Sequence, residues 1–198
     1  VIYLNRGIIM KVNIYDFDKT IYDGDSGYDF YKYMLRRRPF LVFPNVLKSI
    51  PTGIKILFKK GTTRDIKDKL FYFLKDVKDL DKYVKDFWDE NEHKIKKWYI
   101  EQKEENDVII TANYEFLIRE ICNRLNIKNL IATEYDFKEN KIKGIHSRGE
   151  NKITLFKSIY PNYEVGKTYS DSMIDKPLLE IGNPGYLVKG NELIEYKK

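Results

Sequence analysis

The stretch Lys11-Val12-Asn13-Ile14-Tyr15-Asp16-Phe17-Asp18-Lys19-Thr20 constrains this chain more than any other, because a short apolar run ends abruptly on two acids. Val12, Ile14 and Phe17 favour strand and helix signals are few, so the run reads as a buried β-strand delivering Asp16 and Asp18 at its C-terminal end. Residues two apart on extended chain point the same way. Two carboxylates held together repel unless a cation lies between them, which makes a divalent metal, phosphate chemistry or both the economical explanation. The bland alternative is an ordinary acidic turn, since a lone Asp-x-Asp recurs by chance.

After this strand the pattern turns helical. Asp23 to Gly27 is a turn cluster, and a helix runs from Tyr28 through Phe30, Tyr31, Met34 and Leu35 until Pro39. Residues 40–58 are apolar but interrupted by Pro44, Lys48, Pro51 and Gly53, which predicts short helical pieces rather than one spanning helix. Thr62 or Thr63 caps a further helix carrying Ile66, Leu70, Phe73, Leu74 and Val77. A longer one follows, with Leu80, Val84, Phe87, Trp88, Ile95, Trp98 and Tyr99 in one stripe. Residues 24–105 are therefore expected to be an all-helical insertion, a cap.

From Asp107 strands and helices alternate. Val108-Ile109-Ile110 is a short strand ended by Thr111-Ala112-Asn113, followed by a helix with Phe116, Leu117, Ile118, Ile121 and Leu125. Leu130 to Thr133 is another strand, Asp136 to Ile145 a hairpin, and Asn151 or Thr154 opens a helix closed by Pro161. Tyr169-Ser170-Asp171 ends a further strand, Pro177 begins a helix, and Gly185 to Val188 forms the last strand. Such alternation implies an α/β fold, a doubly wound parallel sheet of Rossmann type built from residues 10–23 and 106–198. Residues 1–9 make neither a signal peptide nor a membrane span. They read as an over-extended start, with Met10 as the expected first residue.

Composition narrows the partners. The net charge is +6, yet 30 acids interleave with 36 bases, and Arg36-Arg37-Arg38 is the one tight basic cluster, so no nucleic acid is expected. The single cysteine, Cys122, excludes an intramolecular disulfide, suits a reducing cytoplasm and falls on a buried helical stripe. His93 and His146 have no partner at ligand spacing and read as surface residues. The apolar residues of 40–58, Phe43 and Phe58 included, are expected to form the cap's own core. Contact with an anionic membrane or a lipid phosphate, held by Arg36 to Arg38 and Lys59-Lys60, is the lesser alternative.

In an open α/β sheet the loops at the strand C-termini share one crevice, so Asp16, Asp18, Thr111, Lys152, Asp171 and Asp175 can meet there. Singly, Thr111 reads as a helix cap, Lys152 as a surface lysine and Asp171 as a turn residue. Their order, however, resembles the four motifs of the haloacid dehalogenase superfamily, particularly its phosphoserine-phosphatase-like branch. Asp16-Phe17-Asp18-Lys19-Thr20 matches that family's Asp-x-Asp-x-Thr, and Thr111 its strand-ending Ser or Thr. Lys152 matches its lysine and Asp171-Ser172-Met173-Ile174-Asp175 its acid pair, with Ser170 where many members have glycine. The helical insertion falls where the family carries its cap.

The resemblance implies a Mg²⁺-dependent phosphatase acting on a small phosphorylated metabolite. It implies Asp16 as nucleophile, Asp18 as acid and base, and a metal site made by Asp16, Asp171 and Asp18, the last through its backbone carbonyl. Thr111, Ala112, Asn113 and Lys152 would bind the phosphoryl group, with Thr20 and Asp175 in support. Asp25 and Arg64 are weaker candidates for contacts to the rest of the substrate. Two rivals remain: a metal-dependent glycosyltransferase using Asp-x-Asp for a nucleotide sugar, and a catalytically inactive binding scaffold. If Asp16 is the nucleophile, Asp16→Asn abolishes hydrolysis of an aryl phosphate while the protein stays folded, because a neutral amide does not attack phosphorus; wild-type turnover in that variant would remove Asp16 from the chemistry.

Overall fold

The computed structural model describes residues 11–57 and 69–197. The expected Met10 start, the capping Thr62 or Thr63, Phe58 and Arg64 lie outside the described residues. Seven strands make one sheet: β1 (Lys11–Tyr15), β2 (Val108–Tyr114), β3 (Asn129–Asp136), β4 (Lys141–Lys143), β5 (Glu164–Ser170), β6 (Gly185–Lys189) and β7 (Glu192–Glu195). Their spatial order is β4-β3-β2-β1-β5-β6-β7. β1 lies at the centre, with Ile14 opposite Val108 on one side and Thr168 on the other, and its pairings with β2 and β5 are parallel. The β2–β3 and β5–β6 pairings are also parallel, while β4 and β7 close the edges as antiparallel hairpins.

Strand alternation sorts the apolar residues onto two faces. Val12, Ile14, Val108 and Ile110 join one core with Phe156 and Leu178. These two come from α6 (Glu150–Ile159) and α7 (Lys176–Ile181). Tyr15 and Ile109 face the other way, into a larger core with Leu117, Ile118 and Ile121 of α5 (Glu115–Arg124). Helices thus cover both faces, as expected of a doubly wound sheet. Cys122 is fully buried in the larger core.

The chain between β1 and β2 contains helices: α1 (Ser26–Arg37), α2 (Pro39–Leu57), α3 (Leu80–Asn91) and α4 (Lys97–Gln102), with 3₁₀ turns at Phe71–Asp76 and Glu92–Lys94. Several expectations need correction. α1 begins at Ser26 rather than Tyr28, because the Asp25 side chain caps it by accepting from the Tyr28 N–H. Residues 39–57 form one helix rather than short pieces. Pro39 starts it, where no N–H is required, and Pro44 and Pro51 both lie on its exposed side, where water can take the orphaned carbonyls. Phe43, expected in the cap's core, is 55% exposed.

Of the helix expected from Thr62 or Thr63 to Val77, residues 69–70 are helical and Phe71–Asp76 is a 3₁₀ turn, and the long stripe from Leu80 to Tyr99 is broken between α3 and α4. The break has a cause: Ile95 turns extended to form an antiparallel bridge with Tyr22, and the Lys96 N–H bonds to the Ile21 carbonyl. β2 continues through Thr111 to Tyr114 instead of ending at Thr111, and Gly149 rather than Asn151 or Thr154 caps α6. β7 was not foreseen, since Glu192 to Glu195 has two acids in four residues and only its inner neighbours reveal it as an edge strand.

Cap and sheet share one core. Trp88 of α3 is fully buried, meets the rings of Phe17 and Tyr22 edge-on at 6.0 and 5.6 Å, and donates its indole N–H to the Leu117 carbonyl at 2.7 Å. Trp88→Ala would leave a cavity and lose the indole hydrogen bond, so we expect a loss of about 4 kcal/mol in urea unfolding; a loss within experimental error would show that the cap is not held through this residue.

Candidate active site

Strand β1 ends at Tyr15, so Asp16 is the first residue past the sheet edge, and its N–H still bonds to the Tyr169 carbonyl of β5. The chain then turns back sharply: the N–H groups of Thr20, Ile21 and Tyr22 all reach the Phe17 carbonyl. Lys19 adopts a left-handed φ of 59° within this turn. Phe17 is buried between the two acids, which directs Asp16 toward α6 and Asp18 toward the cap.

Asp16 is 8% exposed, and its Oδ1 accepts from Lys152 Nζ at 2.5 Å. Lys152, on the first turn of α6, is 2% exposed and gives a second hydrogen bond to Asp175 Oδ2 at 2.6 Å. Asp175 is in turn satisfied by the Ser170 hydroxyl at 3.0 Å and the Gly149 N–H at 3.2 Å. Thr20 joins the β1 and β5 loops: its hydroxyl donates to Asp16 Oδ2 at 3.3 Å and accepts from the Asp171 N–H at 2.9 Å. Burial pushes the Asp16 carboxyl up to about 6, against the pull of the Lys152 ammonium, and the two carboxylates hold the lysine above its ordinary value despite its burial.

Asp18 has different partners. Its Oδ1 accepts from the Ser26 N–H at 2.7 Å and the Ser26 hydroxyl at 2.5 Å, and its Oδ2 from Asn113 Nδ2 at 3.3 Å. Burial, reinforced by Asp25, pushes Asp18 up to about 7. Gly27 permits this junction, because a β-carbon there would stand 3.0 Å from Asn113 Nδ2. The two acids of the motif therefore sit in unlike surroundings, one beside a buried cation and one under the first turn of a cap helix.

Asp16, Asp18, Thr111, Ala112, Lys152, Asp171 and Asp175 all line one open hollow of about 170 Å³. Asp25 reaches its rim while capping α1. Asn113 turns away from it: the side-chain amide goes to Ser26 and Asp18, and its N–H to the Thr111 hydroxyl. Sequence reading passed over Lys19, Arg148, Ser172 and Ile174, which complete the lining. It also missed Ser26, eight residues from its acid, for which no local signal exists. His146, expected on the surface, is half-buried with Nε2 3.2 Å from the Ala112 carbonyl, whereas His93 is exposed. A larger cleft of about 540 Å³ beside β3 and β4 has its charges spent in pairs, Arg119 with Glu115 and Lys143 with Glu134.

Lys96 links the cap to this loop from behind. It is 6% exposed, and its ammonium donates to the Lys19 and Gly190 carbonyls, each at 2.6 Å. Burial lowers its proton affinity.

The hollow's donors suit a hard cation. The lining carries five carboxylates, those of Asp16, Asp18, Asp25, Asp171 and Asp175, against the three cations Lys19, Arg148 and Lys152, and among the described residues no side chain hydrogen-bonds to the Asp171 carboxylate. No three His, Cys, Asp or Glu side chains converge on one metal position among the described residues. Carboxylate oxygens are the ligands that Mg²⁺ takes, one or two at a time with several waters kept, so the lining fits that ion.

A family model described as haloacid dehalogenase-like hydrolase matches residues 14–180. Among solved structures, a Bordetella pertussis Tohama I protein of unknown function superposes with a TM-score of 0.74 at 18% identity, over 87% of this chain and 86% of that one. A phosphoserine phosphohydrolase-like protein from Francisella tularensis gives 0.54 at 20%, over 88% and 84%. A phospho-aspartyl intermediate analogue of phosphoserine phosphatase gives 0.54 at 14%, over 90% and 86%. At these identities the likeness establishes the fold. Curated proteins gave no match.

The buried ion-paired triad has a measurable consequence. Lys152→Met strands two buried carboxylates, so we expect a loss of about 3 to 5 kcal/mol near neutral pH. Burial already raises the Asp16 carboxyl above its ordinary value, and without the opposing pull of the ammonium it rises further, so this loss shrinks as the pH falls toward 4. Urea midpoints across that range test it; a pH-independent loss would mean the three groups do not share charge.

Proposed function

Because the chain belongs to the haloacid dehalogenase-like hydrolase family, we propose that it is a Mg²⁺-dependent phosphatase that hydrolyses a small phosphomonoester through an aspartyl-phosphate intermediate. The observation that carries this reading is the unlike setting of the two acids. Asp16 stands 2.5 Å from a buried ammonium, and Asp18, its affinity for a proton raised to about 7, is held apart by Ser26.

On this reading Asp16 attacks phosphorus in line, and the leaving alkoxide takes its proton from Asp18. Asp18 then accepts a proton from water, which attacks the phosphoenzyme and frees Asp16. A lysine has three N–H donors; two of those on Lys152 go to Asp16 and Asp175, and the third serves a phosphoryl oxygen. Asp175, with Ser170 behind it, keeps that ammonium in place. The Thr111 hydroxyl and the chain at Ala112 bind the remaining oxygens at the hollow's wall. Asp16, Asp171 and the Asp18 carbonyl would hold Mg²⁺, which would supply positive charge against the transferring group.

Residues 24–105 form the cap of this reading and residues 10–23 with 106–198 its catalytic core. The leaving group would meet the rim of the hollow, where Asp25, Lys19 and Arg148 stand. Arg64 keeps only its sequence-based candidacy as a contact for a substrate carboxylate. The glycosyltransferase reading leaves the Lys152–Asp175 pair without a task.

Aryl phosphate hydrolysis should disappear with EDTA, return with Mg²⁺ and be inhibited by Ca²⁺, whose larger and less regular shell misplaces nucleophile and phosphate. Hydrolysis without any metal would overturn the metal role, and failure on a broad panel of small phosphomonoesters would overturn the substrate class.

A further inference from the structure

Helix α2 carries apolar residues on its outer side as well as on its buried one. Its buried face carries Val42, Asn45 and Ser49, at 0, 6 and 6% exposure, with Leu41 and Val46 partly covered by the core. The two polar residues spend their hydrogen bonds on their own helix, Asn45 on the Leu41 carbonyl and Ser49 on that of Val46. Its outer face carries Phe40, Phe43, Leu47 and Ile50, exposed by 95, 55, 53 and 52%. Spacings of three and four put these four in one stripe along the helix. A helix facing water is built the other way round, and a continuous exposed apolar stripe marks a contact surface.

Charge around the stripe points to the contact. Between Asp29 and Asp65 the sequence has nine lysines and arginines and no acid, in a chain that otherwise interleaves the two signs. Lys48 is exposed on α2 itself. Arg37 and Arg38 line a hollow of about 420 Å³ together with Pro39, Phe40 and Leu41, so cation and apolar surface are contiguous. Arg36 and Arg37 share a single acid, Glu90, and the Arg38 guanidinium meets the neutral Tyr83 hydroxyl. Among the described residues Arg36, Arg37, Arg38 and Lys48 thus stand against the one acid Glu90, a net positive balance.

We propose that the outer face of α2 is a docking surface for an anionic lipid bilayer, on which the helix lies flat with Phe40, Phe43, Leu47 and Ile50 in the acyl boundary and its cations among the headgroups. It is a surface contact, since no helix among the described residues is long and apolar enough to cross a membrane. A second copy of the chain suits the face poorly, because a two-fold contact would bring its cations together. The proposal goes beyond the phosphatase reading and does not depend on it.

Co-sedimentation of the purified protein with vesicles tests it. The wild type should bind phosphatidylcholine vesicles containing about one-third phosphatidylglycerol at about 0.1 M salt, bind pure phosphatidylcholine at least tenfold less, and be released at about 0.5 M salt. Phe43→Asp and Leu47→Asp should each weaken binding tenfold or more with Tm and aryl phosphate hydrolysis unchanged, and Lys48→Glu should do the same through charge alone. No binding by the wild type would overturn the proposal, as would equal binding to neutral vesicles. So would a fall in Tm for Phe43→Asp, which would place that residue inside a packed core, or self-association in light scattering that Phe43→Asp removes.

Discussion

A lysine ammonium enclosed at 2% exposure is the constraint on which this architecture turns. A charge so far from water is tolerable only with opposite charge in contact, and Lys152 has two carboxylates, each from a different part of the chain. Asp16 comes from the end of the central strand, Asp175 from the loop after β5, and the lysine from the first turn of α6. Satisfying it therefore demands that β1, β5 and α6 meet at one edge of the sheet. Ser170, Thr20 and the Gly149 N–H complete the shell and fix the three segments relative to one another.

The second acid uses the opposite strategy. Among the described residues Asp18 has no cation in contact and takes its hydrogen bonds from Ser26 and Asn113 instead. Burial raises the proton affinity of both acids, at Asp16 against the pull of an ammonium and at Asp18 against the hydrogen bonds of Ser26. One ring, Phe17, stands between the two acids in the chain, buried in the core at the turn where its carbonyl gathers the Thr20, Ile21 and Tyr22 N–H groups.

Much of this was legible before any coordinates. Lys11 to Thr20 declared a strand ending in acids, and the later strand–helix alternation declared the sheet around it, because burial on both faces demands near-continuous apolar runs such as Val108 to Ile110. The meeting of Asp16, Lys152, Asp171 and Asp175 followed from topology, since parallel strands deliver their ends to one edge. What stayed hidden depended on partners distant in sequence. Ser26 looked like turn material, Asn113 like a wall of the hollow, and the break at Ile95 like continuous helix, since its pairing with Tyr22 leaves no trace in hydrophobic period. The apolar run of α2 misled for another reason: composition tells how much a helix buries, not which of its faces does so.

The root of the cap is anchored twice, by Ser26 on Asp18 where the chain leaves the core and by Ile95 on Tyr22 with Lys96 on the Lys19 carbonyl where it returns. Both anchors hold the same short stretch, Asp18 to Tyr22, so the segments entering and leaving the insertion are tied to one loop of the core. Over generations, a chain built this way can accept insertions, deletions and wholesale changes of surface at the far end of its cap, and almost none at the root. Lineages of such a protein would diverge in what they approach and keep unchanged how they hold it.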